Sequence, residues 1–489
     1  MSLFCVQHSL ADLGAPFSLP CNPTPVAAPQ WLAFNPGLAA QLQLPESYWL
    51  TDAGLTLFSG NTLPDWVKPV AHAYAGHQFG HFVPQLGDGR ALLLAELTDI
   101  SGQRFDLQLK GAGQTPFSRR GDGRAPLGPV LREYLVSEAM HALGVSTTRA
   151  LAAVLTGDWL QRETAEPGAI ITRVAKSHIR IGSFQYIAHH GDREQLKTFA
   201  DYVIQRHYPE CANSANPYLA LLSAVVSAQA KLIAKWMSIG FIHGVMNTDN
   251  MSIAGETIDY GPCAFMDAFN PAQVYSFIDK QGRYAWGNQP RIASWNLARF
   301  AETLLPLFAE QPEQAVEQAT TALYSFNAEN EAAFLQLMGE KIGLKAATKD
   351  DEGLIRDLLN LMSASKADFS QTFRLLSQSV PDASQGAAIQ FADSSSWQSW
   401  CASWHARLAA QNITSEQVQQ QMNNCNPALI PRNHQIARAI DLATTEGDLT
   451  LFNRLHTALK TPFAISEAQA DLALPPKPEQ CISNTFCGT

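Results

Sequence analysis

The chain has 489 residues, 46% hydrophobic and 16% charged, with a formal net charge of −10. That length predicts two or three lobes rather than one core, and the composition excludes a disordered chain. A net negative surface will not attract nucleic acid or anionic membrane, so a phosphate site has to be a local basic pocket in an acidic protein. The eight cysteines include no Cys-x-x-Cys pair, which argues against structural zinc and against a secreted disulfide scaffold. No apolar run reaches the roughly 18 residues of a membrane span, so no transmembrane helix is expected. The start, Met1 to Gly14, has no basic stretch ahead of an apolar one, and a cytoplasmic location is the expectation.

Residues 1–60 are rich in Pro, Ala and Leu with weak periodicity, and read as irregular connections with a short helix near Asn35 to Leu42. Ala91 to Leu97 is a buried strand run, and Arg104 to Lys110 alternates with period two; Asp99 to Gly102 supplies the turn between them. Pro126 to Pro129 opens a helix that runs to about Leu143 and stops at Gly144. Ala169 to Val174 reads as another strand. From about Glu194 the pattern is helical, and Pro217 to Ile239 forms one long helix that ends at Gly240. Further helices are expected over Trp295 to Ala309, Glu313 to Met338, Leu354 to Met362 and Trp397 to Gln411, followed by an extended tail from Leu472 to Thr489. Strands early and helices late predict an α+β, two-lobed layout with a helical C-terminal extension, divided near 1–175, 176–310 and 311–489.

The long helix delivers the chain into His243-Gly244-Val245-Met246-Asn247-Thr248-Asp249-Asn250, and Asp259-Tyr260-Gly261 follows. The protein-kinase loop H-R-D-x-x-x-x-N has its catalytic Asp third and a metal-binding Asn eighth. Here Asn250 is eighth, but the third residue is Val245, which cannot accept a proton. The acid Asp249 stands directly before Asn250 instead. The chain is therefore either a dead kinase or an enzyme running phosphate chemistry with rearranged acids. Asn250 and Asp259 are candidate ligands for Mg²⁺, a hard ion that takes a few protein oxygens plus phosphate and water. With Asn250 on the metal, Asp249 can accept the proton of an attacking hydroxyl. His243 reads as a scaffold residue, and Asp267 and Asp279 as structural loop acids without an assigned role.

Lys110 ends the alternating strand and Glu133 lies on the next helix, the pairing by which kinase-like folds hold nucleotide phosphates. Glu138 is the alternative partner. It lies about 140° further round the helix, so both cannot face Lys110. Two loops repeat the same letters, Gly87-Asp88-Gly89-Arg90 and Gly121-Asp122-Gly123-Arg124. Glycines let backbone N–H groups approach phosphate and Arg adds a bidentate charge, although Gly-Asp-Gly is also an ordinary turn. Arg119, Arg120, Arg124, Arg173, Lys176 and Arg180 form a basic set out of character with an acidic chain, as a polyphosphate pocket requires.

With these residues in place the chain resembles the selenoprotein O family, also called the YdiU family, of protein adenylyltransferases. The resemblance spans His72 to Gly80, Gly87 to Arg90, Leu109 to Pro116, Arg119 to Arg124, Gly240 to Asn250, Asp259 to Pro262 and Arg432 to His434. It implies a protein-kinase-like bilobal fold, with a β-rich N-lobe and a helical C-lobe. It implies nucleotide contacts from Gly87, Gly89, Arg90, Lys110, Asp122, Gly123, Arg173 and Arg180, with Glu133 paired to Lys110. Asp249 is implied as proton acceptor, and Asn250 and Asp259 as Mg²⁺ ligands. It further implies ATP bound in reverse, AMP transferred to a Ser, Thr or Tyr hydroxyl of a protein, and pyrophosphate released; some members use UTP and Mn²⁺. Many members carry selenocysteine third from the C-terminus, where this chain has Cys487; Cys481 and Cys263 are both open as its disulfide partner. Two other readings remain, a γ-phosphate-transferring kinase and a nucleotide-binding pseudokinase scaffold. Val245 favours the scaffold over the kinase, while Lys110, Glu133, Asn250 and Asp259 argue against pure scaffolding.

Overall fold

The computed structural model describes residues 4–485, and Cys487 lies outside the described residues. An antiparallel nine-stranded sheet occupies the first third of the chain. Its main path runs Ser18–Pro20, Val70–His72, Ala91–Thr98, Arg104–Lys110, Ala165–Ala175, Arg149–Gln161, Gln30–Phe34. Alternation along the strands sorts residues between two cores. Leu92, Leu94, Leu107, Leu109 and Leu151 pack with Leu38 and Phe58 on one face. Leu93 and Ile171 turn to the other face, against Leu131 and Leu135 of the helix Leu127–Ala142. The same period sends Asp106, Gln108 and Lys110 to the face opposite Leu107 and Leu109. The register sets Arg173 directly across from Gln108, and Ile171 across from Lys110.

The expected strand at Ala169 to Val174 is the end of a longer one, Ala165–Ala175, and the strand Arg149–Gln161 beside it was not legible in the sequence. The stretch 1–60 is also more regular than expected. It supplies three strands of the sheet, Val6–Gln7, Ser18–Pro20 and Gln30–Phe34, and the helix Asp52–Phe58, besides the short helix Pro36–Gln41.

After the sheet the chain is helical: Ile181–His190, Arg193–His207, Pro217–Ser238, Gln289–Phe308, Pro312–Lys341 and shorter helices to Thr450–Leu459. Pro217–Ser238 is long and apolar enough to cross a membrane by length and composition, with mean hydropathy 1.4. Its Leu221, Leu222, Val225, Val226 and Ile233 are fully buried, and it packs on Gln289–Phe308 and Pro312–Lys341, as the core helix of a helical layer does. Among the described residues the tail is mostly irregular, as expected, but it begins within the short helix Ala470–Ala473 and holds the 3₁₀ turn Pro478–Gln480. Its Thr485 is pinned by an N–H donated to Tyr275 O at 2.7 Å.

The segment leading to Asp259 is tied to the sheet by a buried acid. Glu256 accepts the Lys176 N–H at 2.8 Å, and burial pushes its carboxyl up to about 7, against the pull of Lys176. An unfolded glutamate ionises near 4.5. The unfolded state therefore loses its proton first, and the contribution of Glu256 to stability falls as pH rises from that value to about 7, then stays level. Glu256→Gln removes this dependence. The variant is expected to gain on the order of 2–3 kcal/mol over the parent at pH 8 and nothing at pH 4, read by urea unfolding at both pH values.

Candidate active site

Five elements bring their charged side chains to one point. Lys110, at the end of its strand, lies 2.8 Å from Glu133 on the helix Leu127–Ala142 and 3.5 Å from Asp259. Arg173, from the neighbouring strand, donates its Nε to Glu133 and an Nη to Asp259 at 2.7 Å. Arg180, at the N-terminal edge of the helix Ile181–His190, donates to Asp259 Oδ2 and to the backbone O of Asp249, the latter at 2.7 Å. Glu138 faces elsewhere, holding Arg149 at 2.7 Å and Asn35 at 2.8 Å, as the helix geometry required.

The charges decide the protonation states. Burial alone would raise Asp259, but the guanidiniums of Arg180 and Arg173 and the Lys110 ammonium hold it well below the usual carboxylate range. Burial likewise opposes ionisation of Glu133, and Arg173 and Lys110 bring it down to about 2. Both acids are thus anionic at neutral pH. Asp249 differs. Burial pushes it up to about 6, with a hydrogen bond from Gln78 pulling the other way. Its Oδ2 accepts from Gln78 Nε2 at 3.2 Å, while its Oδ1 is buried with no hydrogen-bond partner among the described residues. A carboxylate with one free oxygen and a raised affinity for protons is suited to general-base work.

Asp259 adopts φ +63°, a left-handed conformation that Asp tolerates better than most residues. Asn250 donates Nδ2 to Val245 O at 2.9 Å, which turns its Oδ1 away from that carbonyl. An amide oxygen and an ionised carboxylate are the hard donors that Mg²⁺ prefers. No group of three or more His, Cys, Asp or Glu side chains able to hold a metal occurs among the described residues. A Mg²⁺ ion here would complete its shell with phosphate oxygens and water, so the donor set fits an ion that arrives with a nucleotide.

The glycine loops are built around close packing. A Cβ at Gly87 would lie 2.2 Å from the Phe117 ring, and Asp88 O and Gly89 O accept from Thr115 and Ser118 hydroxyls at 2.6 and 2.5 Å. Loop 113–124 is thereby stapled to loop 87–90. Arg90 is near enough for its charge to act on Lys110. Asp122 and Gly123 lie on the outer loop, where Asp122 is held by Arg162 at 2.8 Å. The expected basic set divides. Arg173 and Arg180 enter the cluster, whereas Arg119 and Arg120 are exposed and Arg124 donates to Pro25 O at 2.9 Å.

His243 is a scaffold residue as expected, fully buried, stacked on Trp236 and bonded to Ile258 O at 2.8 Å. Asp267 pairs with Arg432 at 2.5 Å, and Asp279 accepts the N–H groups of Arg283 and Tyr284 at 2.9 and 2.7 Å. Four contributors escaped the sequence reading: Gln78, Asp88, Gln108 and Arg162. Asp88 accepts from Gln108 at 3.1 Å and lies 3.8 Å from Arg180; its place between Gly87 and Gly89 was the one available signal. A cavity of about 600 Å³ opens between the helices Asn433–Thr445 and Thr450–Leu459. It shares no residue with this cluster.

Comparison with known proteins identifies the family. Residues 3–460 match the family model described as "Protein adenylyltransferase SelO". The chain is 53% identical over 487 residues to the protein nucleotidyltransferase YdiU of Bradyrhizobium diazoefficiens, covering 99% of both chains. It is 50% identical over 488 residues to the YdiU protein of Rhodopseudomonas palustris strain CGA009 and 51% over 483 to that of Agrobacterium fabrum, again over 99% of each. A family-model match over residues 3–460 and near-complete coverage by relatives at 50–53% identity show that the chain belongs to the SelO family of protein adenylyltransferases.

Proposed function

We propose that this enzyme transfers AMP from ATP to a Ser, Thr or Tyr hydroxyl of a protein acceptor and releases pyrophosphate. The observation that carries the reading is the free, buried Oδ1 of Asp249 beside a cluster of three cations that share Asp259. ATP lies reversed, with its α-phosphorus next to Asp249. The acceptor oxygen forms a bond to that phosphorus, the bond from it to the bridging oxygen of the β-phosphate breaks, and the hydroxyl proton passes to Asp249 Oδ1. Lys110, Arg173 and Arg180 shift from Asp259 towards the phosphates and stabilise the departing pyrophosphate, whose charge develops in the transition state. Gly87, Gly89, Arg90, Asp122 and Gly123 complete the nucleotide contacts. Asn250 and Asp259 would hold Mg²⁺, which would neutralise phosphate charge.

The reading includes a protein-kinase-like bilobal arrangement, with an N-lobe over 1–175, a C-lobe over 176–310 and a helical extension beyond. It places the enzyme in the cytoplasm, with protein and nucleotide as its partners and neither nucleic acid nor membrane among them. UTP with Mn²⁺ is the alternative pair that the family resemblance implies. Parallel incubations with α- and γ-labelled ATP test the assignment. Label retained on protein from the α position is expected. Label from γ alone means a kinase, and none from either means a scaffold; α-labelled UTP in a third arm reads the UMP activity.

A further inference from the structure

The stretch His72 to Gly80 is given no role in the reaction above, yet it lies directly on the loop that carries Asp249. Gly76–Gln78 pairs with His81–Val83 in a two-stranded hairpin. The His77 N–H donates to Thr248 Oγ1 at 2.7 Å and the Phe79 N–H to Asn247 Oδ1 at 3.1 Å. The Ala75 N–H donates to Gly182 O at 2.9 Å. Residues 247, 248 and 249 are therefore each bonded to this segment. Gln78 Nε2 is the donor to Asp249 Oδ2; its amide oxygen turned towards a carboxylate would be repelled, so the donor orientation is required.

Two glycines make the approach close. A Cβ on Gly76 would lie 2.5 Å from Asp249 Oδ1. One on Gly182 would lie 2.1 Å from Ala75 O and 3.3 Å from Asp249 Cα. Gly76 thus packs against the Asp249 carboxylate, and Gly182 against its Cα and the Ala75 carbonyl. The Tyr74 ring, at the start of the segment, lies 4.7 Å under the Arg180 guanidinium.

We propose that the hairpin over residues 76–83 is the element that aims the base: Gln78 holds Oδ2 of Asp249 so that Oδ1 faces the acceptor hydroxyl, and Gly76 keeps clear the space that Oδ1 occupies. The proposal rests on Asp249 as proton acceptor. Gln78 is a positioning residue, since it acts through Asp249 and touches no reacting atom. The carboxylate torsion is intrinsically broad. Without a donor on Oδ2 it samples orientations from which Oδ1 cannot reach the hydroxyl, and a misplacement of about 1 Å at the reacting groups costs up to roughly 100-fold in rate.

The test uses the full chain, Mg–ATP and one fixed protein acceptor. Gln78→Met keeps the side-chain length and removes the donor. Its kcat is expected to fall roughly 10- to 100-fold, with acceptor KM, calorimetric Mg–ATP affinity and melting temperature unchanged. Gly76→Ala is expected to do the same. Gly76 is not in the left-handed region, so alanine suits the backbone and the added methyl acts through Asp249. In the Asp249→Asn background, Gln78→Met is expected to slow the reaction no further, because there is no base left to aim. A slow Asp249→Asn enzyme together with Gln78→Met at the parental kcat overturns this proposal and leaves the base assignment standing. So does an additive loss in the double variant. Asp249→Asn at the parental rate sinks the base assignment, and this proposal with it.

Discussion

Asp249→Asn is expected to lower kcat for nucleotide transfer by about 10²- to 10⁴-fold, the usual worth of a general base. Asparagine has nearly the same shape and cannot accept the proton. The loss should not come from unfolding. The Asp249 side chain is buried, its Oδ1 has no partner, and burial disfavours its charge. A neutral amide removes that cost, so the variant should melt no lower than the parent at pH 8 while being far slower. Mg–ATP affinity measured by calorimetry should stay close to parental, because the three cations and Asp259 are untouched. Parental transfer rates in Asp249→Asn would mean that the proton leaves by another route.

Asp259→Asn should produce a different pattern. Asp259 accepts from Arg173 at 2.7 Å and from Arg180, and lies 3.5 Å from Lys110. Removing its charge leaves buried guanidiniums short of a counter-ion. Breaking one side of such a pair typically costs about 3–5 kcal/mol. The variant should therefore be less stable than the parent, bind Mn²⁺ in the presence of nucleotide much more weakly, and show no measurable transfer. ATP should recover more of the variant's melting temperature than of the parent's, since phosphate replaces the missing negative charge. Two acids ten positions apart in sequence would thus fail in opposite ways. Asp249→Asn loses rate with stability intact, while Asp259→Asn loses both. Equal stability of the two variants would contradict the ion-pair network described here.

Much of this was legible because the chemistry is local in sequence. The stretch from His243 to Asn250 and the following Asp259 stand out by spacing alone, and the structure brings Asp249 and Asp259 to the same Arg180. The period-two strand Arg104–Lys110 puts Lys110 on the polar face opposite Leu107 and Leu109. The helical period between Glu133 and Glu138 allowed only one of them to face that lysine, and the structure chooses Glu133. The strand Arg149–Gln161 escaped notice because Ala150, Ala152 and Ala153 carry neither the branched side chains nor the alternation that mark a strand. It is a strand because it has partners on both sides, Ala165–Ala175 and Gln30–Phe34.

The basic residues show the limit most clearly. Arg119, Arg120, Arg124, Arg173 and Arg180 look equivalent as a sequence. Only the sheet register, which sets Arg173 opposite Gln108, and the bend into the helix Ile181–His190 carry two of them to Asp259. Arg124 is turned to the Pro25 carbonyl instead.

What the sequence by itself determined is the inventory of reactive groups: a lysine, two acids and an amide at intervals that suit phosphate transfer, and the absence of an acid at position 245. Only the tertiary structure decided that Arg173 bridges Glu133 and Asp259, that Asp249 keeps one oxygen free, and that a hairpin from the first hundred residues rests on the catalytic loop. The physical reason is range. Hydrogen bonds and ion pairs act over a few ångströms, so which groups share a charge depends on contacts such as Gln78 with Asp249, 171 positions apart, that no local pattern encodes.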